Sequence, residues 1–78
     1  MDPKKPLYLS LHARDKMAER QAALEMVQEA MQKGAHRPGK RGTMIAEKDI
    51  GSAKVRVVYV DRPTEYFVLT VTRTLTTG

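Results

Sequence analysis

The chain has 78 residues, 41% apolar and 29% charged, which suits one small globular domain and excludes two. The absence of cysteine removes disulfides, thiol nucleophiles and thiolate zinc sites, and it fits a reducing, cytoplasmic setting. Fourteen Lys and Arg against nine Asp and Glu give a net charge of +5 and favour a polyanionic partner.

Residues 1–9 read as an N-terminal arm, with two prolines and two lysines among the first six. No apolar core follows Met1 to Pro6, so no signal peptide is expected. The longest apolar runs, near Ala22 to Leu24 and Val57 to Val60, are far below the roughly 18 residues of a membrane span, and no membrane partner is expected. A single domain is then expected over 10–75.

From Leu11 to Lys33 there is neither Pro nor Gly, and Ala, Glu, Gln, Met and Arg dominate, all but a few of them strong helix formers. Ser10 is the expected N-cap and Gly34 the expected stop, with Lys33 in the last turn. One rod of that length would span about 35 Å in a domain of about 12 Å radius of gyration. A break near Arg20-Gln21-Ala22 is therefore predicted, with helices over 11–20 and 23–33. Leu24, Val27 and Met31 carry the core-facing stripe of the second.

Residues 34–42 hold three glycines and Pro38 among basic side chains and read as a loop. Lys33, His36, Arg37, Lys40 and Arg41 cluster there, either as a solvated loop or as a phosphate-binding patch. Three strands follow, Thr43 to Lys48, Lys54 to Val60 and Tyr66 to Thr72, joined by short turns into an antiparallel meander. Alternation assigns Val55, Val57 and Tyr59 with Phe67, Leu69 and Val71 to the face that buries the helices. Arg56, Val58 and Val60 with Tyr66, Val68, Thr70 and Thr72 take the other. The expected fold is α+β: two N-terminal helices on one face of a three-stranded antiparallel sheet.

His12, Lys16 and Arg20 form one cationic ridge at i, i+4 and i+8, read either as a solvated ridge or as a phosphate-facing one. His12 is the side chain best suited to proton transfer near neutral pH. No local spacing of metal ligands, P-loop or nucleophile elbow is present, so neither metal nor cofactor is expected. The remaining parts suit metal-free RNA cleavage, in which RNA supplies its own 2′-hydroxyl nucleophile. His12 would then move a proton, while Arg20, Arg56 and Arg73 would stabilise developing charge. Tyr59 or Tyr66 would stack on a base or donate a proton.

The segment His12 to Arg20, with Val27, Arg56-Val57-Val58-Tyr59 and Leu69-Thr70-Val71-Thr72, resembles a family of small bacterial domains of unknown function with an H-A-x-x-R-M-x-x-R opening. That family is thought to share the fold of RelE-like toxins, within the barnase, EndoU, colicin and RelE group of RNA-cleaving domains. The resemblance covers residues 9–73 and implies His12, Lys16, Arg20, Arg56 and Thr70 as catalytic positions. Lys16 stands where the family usually has arginine, which alters bidentate phosphate holding, and Ala22-Ala23 replaces an apolar residue and a helix-capping Ser or Thr.

Two functions stay open. One is a metal-independent endoribonuclease or RNA-binding domain, acting alone or on the ribosome, with Lys33, His36, Arg37, Lys40, Arg41, Tyr59, Tyr66 and Arg73 as further nucleic-acid contacts. The other is a non-catalytic basic module that binds nucleic acid or an acidic, antitoxin-like protein. The chain is expected as a monomer or a homodimer, the dimer using Val58, Val60, Tyr66 and Val68.

Overall fold

The computed structural model describes residues 5–75, so residues 1–4 of the expected arm lie outside it. Ser10 begins the first helix, α1 (Leu11–Glu19), as an N-cap: its hydroxyl accepts the Ala13 N–H at 3.0 Å and donates to the Leu69 carbonyl at 3.1 Å. The helix ends in a Schellman turn, with Ala22 N–H donating to Met17 C=O at 2.8 Å and Gln21 N–H to Ala18 C=O at 3.4 Å. Gln21 takes the left-handed position there, at φ 55°. That turn is the predicted break, made without glycine, and α2 (Leu24–Lys33) follows it. Gly34 then caps α2 in extended backbone. A Cβ on it would sit 2.4 Å from the Ala30 carbonyl oxygen and 2.5 Å from that of Glu47, so close approach of helix and sheet requires glycine there.

The sheet corrects the expected architecture. Among the described residues it has five strands and mixed pairing, in the order β1-β5-β4-β3-β2: β1 (Leu7–Leu9), β2 (Ala35–Pro38), β3 (Met44–Ile50), β4 (Ala53–Asp61) and β5 (Tyr66–Leu75). The last three are the predicted strands, each running one to three residues further at its C-terminal end, with β3 starting one residue later and β4 one earlier than expected. The other two lie in segments read as arm and loop. β1 runs parallel to β5, pairing Leu7 with Tyr66 and Leu9 with Val68, and is too short to show a period. β2 pairs with β3 as an exposed edge strand, where Pro38 needs no ladder partner.

A second correction concerns β5. Tyr66 and Val68 lie buried with Val71 against the helices, whereas strict alternation assigned Phe67 and Leu69 there. The register explains it: Tyr59 pairs with Val68 but Val58 with Thr70, so Leu69 is an extra residue, and such a β-bulge reverses the phase of a strand. The apolar dimer patch expected from Val58, Val60, Tyr66 and Val68 is thereby split between the two faces.

Both helices cover one face. Ala13, Ala22, Val27, Ala30 and Met31 close on Ala46, Val55, Val57, Tyr59, Tyr66, Val68 and Val71 in one buried cluster, and the alanines allow the layers to approach closely. No helix among the described residues is long and apolar enough to cross a membrane.

Candidate nucleic-acid interface

The face of the sheet turned away from the helices is set by register. Across β2, β3, β4 and β5, one row joins Arg37, Ile45, Val58 and Thr70, and the next joins Ala35, Glu47, Arg56 and Thr72. A third joins Asp49, Lys54 and Thr74. At the opposite end Val60 pairs with Phe67, and Phe67 with Tyr8. Rows two residues apart are about 7 Å apart along the strands.

Glu47 organises the middle of this face. Its carboxylate accepts from Arg56 Nε at 2.7 Å and from Arg37 Nη1. Those two guanidinium hydrogen bonds, Arg37 first, hold its carboxyl down to about 2 against the opposing effect of burial. The triad thus carries one net positive charge, with both arginine side chains about half exposed. An incoming phosphate would compete with Glu47 for two forked donors.

The end of the face is aromatic. Tyr8 and Phe67 stack with ring centroids 5.4 Å apart and planes 16° from parallel. Arg62 lies over the Phe67 ring at 4.3 Å, while its Nη1 is 3.7 Å from Glu65. Tyr8 is 59% exposed, which leaves room for a further ring on the stack.

The expected site residues divide between surfaces. Arg56, Thr70 and Arg37 meet on the open face. His12, Lys16 and Arg20 stand on α1 or its C-cap, on the helix side of the sheet, with His12 and Arg20 exposed and Lys16 3.5 Å from Glu19. The sheet therefore separates His12 from Arg56 and Thr70. Arg73 opposes Val55 on the helix side, and its Nε is buried with no hydrogen-bond partner among the described residues. Lys33 ends α2, and Lys40 and Arg41 lie exposed in the β2–β3 turn, where Arg41 has φ 57°.

Tyr59 and Tyr66 are core residues, 4% and 6% exposed, in edge-to-face contact at 5.7 Å, so neither ring offers a face to a base. Burial, then Asp61 and Tyr66, push the Tyr59 hydroxyl up. His36 turns toward the helix side, its Nε2 2.8 Å from the Met31 carbonyl oxygen and its Nδ1 2.7 Å from the Tyr59 hydroxyl. A carbonyl only accepts, so Nε2 carries a proton and donates to Met31, while Nδ1 shares a hydrogen bond with the Tyr59 hydroxyl. His36 thus ties β2 to the end of α2. Glu47, Tyr8, Phe67 and Arg62 escaped the sequence reading. Glu47 alternates with buried Ala46, a signal present in β3, whereas Tyr8 acquires meaning only through pairing of β1 with β5.

Fold and surface define a small α+β domain with an open, basic and partly aromatic sheet face. The chain belongs to the family described as Domain of unknown function (DUF4258), whose match runs over residues 9–73. No curated protein and no solved structure matches it.

Proposed function

We propose that the chain binds single-stranded RNA on the open face of its sheet. The observation that carries this reading is the exposed Tyr8 ring stacked on the half-buried Phe67, on the same face as Arg37 and Arg56. Aromatic rings beside cations take unpaired bases and their phosphates together, each stacked base contributing about 1–3 kcal/mol. The family that residues 12–20, 56–59 and 69–72 resemble is thought to share its fold with RelE-like RNA-cleaving domains, which points to the same class of ligand. Binding is favoured over cleavage because His12, the best proton carrier, lies across the sheet from Arg56 and Thr70.

The test is gel retardation of an end-labelled single-stranded RNA in EDTA, beside the duplex of the same sequence. Retention of intact single strand over duplex, weakened about tenfold or more by Phe67→Ala or Tyr8→Ala, is the expected outcome. Equal retention of the duplex, or unaltered binding by both variants, would refute the reading. Cleavage that disappears in His12→Ala would replace it with the nuclease reading.

A further inference from the structure

A groove of about 440 Å³ runs beside β1, with Tyr8 among its lining residues. Its walls are Leu7 and Leu9 of β1, Arg14 of α1, and Leu24, Gln28 and Gln32 of α2. The volume lies within the range of ligand-binding clefts, and the character of the groove comes from its strand. The Pro6 carbonyl accepts from Tyr66 N–H at 2.9 Å, and the Ser10 N–H donates to Val68 at 3.0 Å. In a parallel pair, alternate residues turn their main-chain groups toward the neighbour, so Pro6, Tyr8 and Ser10 face β5. Leu7 and Leu9 turn N–H and C=O outward. β1 is last in the strand order, and this edge pairs with nothing among the described residues.

We infer that this groove takes a short extended acidic segment of a partner protein as a sixth strand. Outward N–H and C=O groups on alternate residues match a peptide main chain, and the Gln28 and Gln32 amides offer both donors and acceptors on the facing wall. Leu24, 46% exposed, lines the groove and leaves apolar surface for the segment's alternate side chains. Charge selects acidic residues: Arg14 and Lys5 line the groove, no carboxylate among the described residues does, and the chain carries +5. Lys5 also faces Asp61, which leaves Arg14 as the main attraction. A second copy would bring the same cations against each other. Nucleic acid has no alternating main-chain donors and acceptors to match the edge. This inference does not require RNA binding: the two surfaces share Tyr8, and the groove's other walls lie outside the RNA-binding residues named above.

The probe is a blocked eight-residue peptide alternating Val and Glu, titrated into the full chain. Fluorescence anisotropy reads affinity, and amide hydrogen exchange reads the site. The expected result is binding that slows exchange at the Leu7 and Leu9 amides, weakened about tenfold by Arg14→Glu with RNA retention by Phe67 unaffected. A peptide N-methylated at alternate amides should fail to bind. Leu24→Glu provides a second variant should Arg14→Glu disturb folding. Absence of binding, equal binding of the Val and Lys peptide or of the N-methylated one, or unchanged exchange at Leu7 and Leu9 would overturn the assignment. So would protection of those amides by self-association or by an RNA oligonucleotide.

Discussion

Glu47→Gln tests the structure and the proposed function together. The Glu47 carboxyl sits at about 2 against an ordinary 4.5, and about 1.4 kcal/mol accompanies each tenfold change in proton affinity, so the ceiling on its contribution is roughly 3 kcal/mol. Its arginine partners are about half exposed, and solvent screening reduces this to about 1–2 kcal/mol. The folded value lies below the unfolded one, so the stabilisation is complete above about pH 4.5 and is lost as pH falls through about 2. At pH 7 the variant should lose about 1–2 kcal/mol in urea unfolding, or about 5–10 °C in Tm for a chain of this size. The part of the acid dependence of stability between pH 4.5 and 2 that Glu47 supplies should vanish with it. RNA affinity should move the other way, because two guanidiniums are released and the net charge rises from +5 to +6, steepening the salt dependence by about one charge. Unchanged stability at pH 7 would refute the triad's energetics. Weakened RNA binding in the folded variant would refute phosphate contact by Arg37 and Arg56.

Gln21→Gly relieves a left-handed residue in the Schellman turn and should raise stability by about 0.5–1 kcal/mol after the added freedom of the unfolded chain is counted; a lower urea midpoint would count against that turn. His36→Phe removes both ring hydrogen bonds and strands the buried Tyr59 hydroxyl, at a cost of about 1–3 kcal/mol. In a Tyr59→Phe background the cost should shrink, and equal costs in a double-mutant cycle would show that the two rings are not coupled. Gly34→Ala drives a methyl group into the Ala30 and Glu47 carbonyl oxygens and should destabilise by about 1–3 kcal/mol, measurable as a fall in Tm without loss of helix content.

The candidate interface was half legible. Arg56 and Thr70 were named from the chain and do share a face, because both lie on the same side of the β5 bulge, where Arg56 pairs with Thr72 and Val58 with Thr70. Tyr59 and Tyr66 were offered as base-stacking or proton-donating rings and are core, Tyr59 on the helix face that alternation gave it. For Tyr66 the cause is the extra residue at Leu69, since one inserted position exchanges the faces of everything on one side of it.

What the chain alone determined is the local structure: the Ser10 cap, the helix stop at Gly34, the break near Gln21 and the three long strands. Each depends on interactions within a few residues, and those leave a pattern in sequence. Tertiary structure decided the rest. β1 and β2 exist because β5 and β3 offer them backbone hydrogen bonds from residues distant along the chain or across a turn. Only that pairing brings Tyr8 onto Phe67 and Arg37 onto Glu47, and sets His12 on the far side of the sheet from Arg56. Main-chain pairing is nearly blind to side-chain identity, so short edge strands and bulges leave almost no trace in composition or period.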